Sequence, residues 1–172
     1  MKLAERLKRI SERTGQLISW LSLPLVIGTF VVVVLRYAFD FGRIWMQEGV
    51  VWMHAAIFML AAAYTLNRDE HVRVDIFYRK MSARGKAWVN TLGTLVFLVP
   101  VSLFLIITSW GYVWESWAIG EGSREAGGLP YPFVPLLKSL IPFTAILLLI
   151  QGTAVCIESV ATLLSGRDRT AD

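Results

Sequence analysis

The side chains able to do chemistry are few and widely separated. His54 is the only ionisable group lying well inside a long uncharged run, roughly two helical turns from its outer end. An intramembrane ionisable residue is a functional candidate by default. A proton relay needs acidic partners, however, and no Asp or Glu falls deep in any such run. His54 is therefore expected to hydrogen-bond another helix or a partner subunit. His71, with Asp69, Glu70 and Asp75, has the residue types of a metal site, but it offers a single imidazole among basic neighbours. A structural zinc site wants four His or Cys ligands. Cys156 is the only cysteine, which excludes an internal disulfide or a dithiol redox pair. The HExxH, CxxC, GxSxG and P-loop patterns are all missing. Neither an enzyme nor a cofactor is expected.

The remaining polar candidates sit at the edges of apolar stretches. Glu48 opens one such stretch, and Lys138 stands just ahead of another. Arg124 lies in a glycine- and proline-rich segment between them. Glu48 and Lys138 are expected to pair with each other or with a partner chain, or to anchor their helices at the bilayer interface. Glu158, near the end of the last stretch, is expected to snorkel or to pair with an Arg of the loop over 67–86.

These positions take their meaning from the elements that carry them. The chain has 172 residues, 55% hydrophobic and only 17% charged. Soluble domains carry about 25% charged residues. Asp, Glu, Lys and Arg are absent from Thr14 to Leu35, Gly49 to Asn67, Ala87 to Trp114 and Ser139 to Ile157. A bilayer core about 30 Å thick needs roughly 20 apolar residues of helix, so each run is long enough to cross. Backbone in lipid must satisfy its own hydrogen bonds, which makes helix the expected form. The fold class is all-α: a single membrane domain over 1–172 with spans near 15–35, 46–67, 86–114 and 134–162.

Net charge is +4, and the excess follows topology rather than a nucleic-acid surface. Lys2, Arg6, Lys8, Arg9 and Arg13 precede the first span. Arg68, Arg73, Arg79, Lys80, Arg84 and Lys86 follow the second, while the other two connections carry few basic residues. The positive-inside rule places both termini and the 68–86 loop in the cytoplasm. Residues 2–13 read as a short amphipathic helix in the headgroup layer, with Leu3, Leu7 and Ile10 on one face. A second interfacial helix is expected where Val74, Phe77, Tyr78 and Met81 share a face, with Ser82 capping the span that follows. Pro24 and Gly28 suggest a kink in the first span, and Pro135 and Pro142 a bend in the fourth. Trp110, Tyr112, Trp114 and Trp117 form an outer interfacial belt.

The stretch RYAFDFGRIWMQEGVVWMHAAIFMLAAAYTLNRDEHVRVD, Arg36 to Asp75, resembles the small permease (DctQ-type) subunit of tripartite ATP-independent periplasmic, or TRAP, transporters. The matching features are Arg36-Tyr37 at the end of the first span, Trp45 and Glu48 opening the second, Ala62-Ala63-Tyr64 near its inner end, and His71, Arg73 and Asp75 beyond it. A second acidic residue often follows the Trp in that family, and Gln47 stands there instead. The resemblance implies a small subunit of the bacterial inner membrane, beside a large permease subunit that carries the substrate and sodium sites. A periplasmic substrate-binding protein would deliver organic acids to the complex. Membrane lipid is the other expected partner, and nucleic acid is not. The contrasting readings are a membrane-embedded enzyme or redox protein, which needs a catalytic constellation, and a homo-oligomeric small exporter, which wants an acidic residue deep in a span.

Overall fold

A computed structural model of the protein describes residues 2–68, 78 and 80–165. The described residues form helices: α1 Lys2–Ser19, α2 Ser22–Ala38, α3 Ile44–Asn67, α4 Ala83–Gly93, α5 Val99–Ala118 and α6 Phe133–Leu164. A π-helical turn, Thr94–Leu98, joins α4 to α5 without a break. Four helical stretches, Lys2–Ala38, Ile44–Asn67, Ala83–Ala118 and Phe133–Leu164, are long and apolar enough to cross a membrane.

Helix α6 is the central post, and α1, α3, α4 and α5 all pack on it. Its 32 residues reach about 48 Å, more than a bilayer core. Small side chains make the contacts. Ser102, Ser109 and Ser116 recur every seven residues on the buried face of α5. Ala145, Ala154 and Gly152 are buried on α6, and Ala56 and Ala63 on α3. Among the described residues Leu147 is the one larger aliphatic in this core, while Phe30, Phe58, Phe97, Phe104 and Ile107 are exposed. A chain in water would bury its large apolar groups. A chain in lipid gains nothing by doing so and packs through small residues that let backbones approach.

The π turn has a local cause. Pro100 offers no N–H, and its ring crowds the carbonyl four residues back. A widened turn before it relieves that crowding, and Val99 N–H reaches back five residues to Thr94 O. The turn presses on α6 at Gly152, where a Cβ would come within 2.7 Å of Leu98 Cδ2.

Three expectations change in the structure. The basic amphipathic helix does not stop at residue 13 but runs to Ser19, and the chain breaks at Trp20-Leu21 before α2 begins. Nor does α1 stand apart: Ala4, Ser11 and Gly15 are buried as it packs on α3 and α6. Gly15 meets the Tyr64 ring so closely that a Cβ would lie 2.2 Å from Cγ. Pro24 and Pro135 fall in the first turns of α2 and α6, where a missing N–H leaves no bond unmade, so neither needs a kink. Of the three, Pro142 alone lies well inside its helix. Ser82 does cap α4, accepting from Gly85 N–H at 3.2 Å.

Candidate partner interface

At one end of the bundle, Glu48 stands in the second turn of α3 and ties down the segment between α5 and α6. One carboxylate oxygen accepts Leu129 N–H at 2.7 Å, and the other accepts the Ser123 hydroxyl at 2.5 Å. Trp45 N–H donates to Gly127 O, and Ser123 N–H to Leu129 O. Gly128 makes room for this: a Cβ there would sit 2.7 Å from the Glu48 carboxylate and 2.3 Å from Ser123 Oγ. Trp52 Nε1–H donates to Phe133 O at 3.1 Å, fixing the start of α6 on the same helix.

Lys138 does not pair with Glu48. Its ammonium donates to Glu121 and lies 3.9 Å from the centre of the Tyr112 ring. Glu121 also accepts from Ser116 Oγ at 2.6 Å. These bonds, the one from Lys138 first, hold the Glu121 carboxyl below the usual carboxylate range. Trp117 Nε1–H donates to Ser139 Oγ, and its ring meets Tyr131 edge-on at 6.1 Å. Two carboxylates thus fasten one loop, through α3 on one side and α6 on the other. Arg124, next to Ser123, projects from it and is exposed.

The other polar candidates lie on helix surfaces. His54 is exposed midway along α3, between exposed Val51 and Phe58. Arg36, in the last turn of α2, is exposed and suitably placed for that helix's negative end. Trp45 is half-exposed at the start of α3. His71, Arg73 and Asp75, and with them most of the second interfacial helix expected around Val74 to Met81, lie outside the described residues.

The opposite end holds a polar chain that sequence reasoning missed. Gln151 is fully buried in α6, and its Nε2–H donates to Asn67 Oδ1 at 3.1 Å. Asn67 Nδ2–H donates to Glu12 at 3.2 Å, and Glu12 also accepts from Gln16 and Arg68. Nearby, Lys8 Nζ donates to Glu158 at 2.6 Å, which ties Glu158 to α1; Arg73 and Arg79 of the loop lie outside the described residues. A cavity of about 640 Å³ opens beside these groups, with Asn90, Tyr78 and Ser159 on its wall. Three helices are joined here by side-chain bonds. The available signal was an amide, Gln151, inside a charge-free run; screening the spans for ionisable groups alone passes over it.

Chemically, these arrangements hold helices and a loop in place. Among the described residues no three of His, Cys, Asp and Glu converge as a metal site would require, and Cys156 is a free, half-buried thiol.

Comparison with known proteins agrees with an architecture built to pack. Residues 25–164 match the family described as tripartite ATP-independent periplasmic transporters, DctQ component. A stretch of 116 residues is 28% identical to the C4-dicarboxylate TRAP transporter small permease protein DctQ of Vibrio cholerae serotype O1 (strain ATCC 39315 / El Tor Inaba N16961). It covers 67% of this chain and 49% of that relative, so the match spans about half the curated relative's length. No solved structure matches. The chain therefore belongs to the DctQ family of TRAP transporter small permease components, a multi-pass protein of the inner membrane and not an enzyme.

Proposed function

We propose that this chain is the immobile accessory subunit of its transporter. It packs beside the scaffold of a large permease subunit during sodium-driven, binding-protein-dependent uptake of organic acids. The observation that carries this reading is the character of the bundle interior. Its core among the described residues is mostly Ala, Ser, Thr, Gly, Pro and Leu, without a buried charge, and its polar chain from Gln151 to Glu12 stays at one end. A transport path needs polar groups from one face to the other, as at the midplane sites of secondary transporters. Substrate and sodium sites then belong to the partner, while this chain supplies a wide apolar surface. The charge bias places both termini in the cytoplasm and the Glu48 end in the periplasm. On that side Arg124 is exposed and available to a soluble binding protein, whereas Glu48 and Lys138 are engaged within the subunit.

Copurification and reconstitution test the reading together. The chain should copurify with the co-expressed large subunit and, in liposomes alone, should show no sodium-driven uptake of C4-dicarboxylates or other organic acids. Uptake by the isolated chain would refute the accessory role. Orientation is tested by cysteine labelling in a Cys156→Ser background. Ala126→Cys should react with an impermeant reagent from the periplasm and Lys80→Cys should not; the reverse pattern inverts the topology.

A further inference from the structure

The turn between α2 and α3 places two arginines over an apolar cleft. Arg36 stands in the last turn of α2, Arg43 immediately precedes α3, and both line a pocket of about 270 Å³ at that turn. Phe41 N–H closes the turn on Leu35 O at 2.9 Å, and the Arg43 guanidinium lies 4.9 Å from the centre of the Phe41 ring. Both arginines are exposed, and neither forms an ion pair or donates a hydrogen bond among the described residues. Asp40 shares the pocket wall, so the three side chains carry one excess positive charge.

Val32 and Met46 belong both to this pocket and to a cleft of about 680 Å³ between α2 and α3, so the two spaces are continuous. No charged side chain lines the cleft. It extends to Gly28, which lies ~12 Å along α2 from Arg36. Half of a bilayer's hydrocarbon core is ~15 Å deep. The cleft therefore starts at the headgroup level, under the arginines, and runs through most of one leaflet. Gly49 also lines it, and a Cβ there would meet no neighbouring group within 4 Å. Leu129 and Pro130, from the loop that Glu48 fastens, complete the apolar lining.

We propose that the α2–α3 hairpin holds one phospholipid, with its phosphodiester at Arg36 and Arg43 and an acyl chain in the cleft. Each guanidinium offers a fork of N–H donors suited to phosphate oxygens. The one excess positive charge of the pocket matches the single charge of a phosphodiester. A soluble organic acid or inorganic phosphate would satisfy the arginines and leave the cleft unfilled. An apolar helix would fill the cleft and leave the arginines without an anion. A phospholipid meets both needs in one molecule, and the charge-based orientation makes it a lipid of the outer leaflet. The site lies within this chain and does not depend on the accessory role.

Native mass spectrometry of the full chain tests it, with the chain delipidated in detergent and dioleoylphosphatidylglycerol as the probe. Wild type should retain one lipid per chain. Arg36→Gln combined with Arg43→Gln should lower occupancy roughly tenfold, the loss expected when charge-assisted hydrogen bonds are removed. Gly49→Leu grows into the open cleft and should lower occupancy as well, while melting without lipid stays at or above that of wild type, since leucine favours helix over glycine. Arg84→Gln, an exposed arginine on α4, should bind as wild type does. Dioleoylglycerol, which lacks the phosphate, should not be retained, and inorganic phosphate in large excess should not displace the lipid. Equal occupancy in wild type and the double arginine variant, or an equal loss with Arg84→Gln, would overturn the site. Displacement by inorganic phosphate, or binding indifferent to Gly49→Leu, would make it a free-anion site and overturn the lipid. The same measurement on the chain copurified with its large subunit should still find the lipid. Its loss on assembly would show that a partner helix covers the cleft instead, and would overturn the proposal while leaving the accessory role intact.

Discussion

The carboxylate of Glu48 grips the backbone N–H of Leu129, 81 residues further along the chain, at 2.7 Å. An anionic acceptor bonds a backbone donor more strongly than a neutral one does, and the Ser123 hydroxyl takes the other oxygen. Removing the carboxylate leaves a part-buried N–H without its acceptor, which costs about 1–3 kcal/mol. Glu48→Ala should therefore lower the melting temperature of the purified subunit. Glu48→Gln, which keeps one acceptor oxygen, should lower it less. Equal melting of wild type and Glu48→Ala would show that the loop holds without this bond.

Gly15 and Tyr64 make the closest approach of α1 to α3. An added methyl at residue 15 would overlap the Tyr64 ring, so Gly15→Ala must push the two helices apart. Overpacking of this kind costs typically ~1–3 kcal/mol. Gly15→Ala should destabilise the subunit, and Gly15→Ala combined with Tyr64→Ala should recover part of the loss. Non-additivity in this double-mutant cycle is the readout. Strict additivity would mean that α1 does not dock through this pair.

Much of the architecture was legible because a bilayer imposes long charge-free helices. The four runs and the Ser82 cap follow from residue type and spacing. The pairings were not legible. Glu48 and Lys138 look like partners, being opposite charges at neighbouring helix starts, yet each meets a group nearer at hand: loop N–H and hydroxyl for one, Glu121 for the other. The extent of α1 was hidden for a related reason. Its buried stripe of Ala4, Ser11 and Gly15 consists of small residues that hydrophobicity patterns pass over, while its exposed Leu3 and Ile10 drew attention to a lipid-facing side. The Gln151–Asn67–Glu12 chain joins residues far apart in sequence and becomes visible only in the fold.

Glu121 makes loop stability depend on pH. Lys138 and Ser116 donate to its carboxylate and depress its pKa from the ordinary 4.5. A depressed folded-state pKa contributes stability that is fully present above the unfolded value and is lost as pH falls through the folded one. Wild type should melt above Glu121→Gln at pH 7, and the difference should shrink below about pH 4.5 and vanish in stronger acid. A gap that persists unchanged at pH 2 would assign it to packing rather than charge.

Arg124 carries the docking prediction, because it is exposed and acts on the loop only through its attraction to the Glu121 carboxylate. Glu48 and Lys138 are held by internal bonds, so changing either disturbs the loop itself. Arg124 is exposed on that fastened loop, and reversing its charge removes its attraction to Glu121 but none of the hydrogen bonds that hold the loop. Exposed charges at the rim of an interface act mainly on encounter rate and its salt dependence. Arg124→Glu should therefore leave assembly with the large subunit intact. In proteoliposomes it should slow uptake when binding protein is scarce, and excess binding protein should restore most of the rate. Added salt should narrow the difference between wild type and variant, since screening weakens an exposed charge. Uptake equal to wild type at every binding-protein concentration would take Arg124 off the docking surface and leave the loop as a cover over α3. Loss of assembly would instead make Arg124 part of the contact with the large subunit.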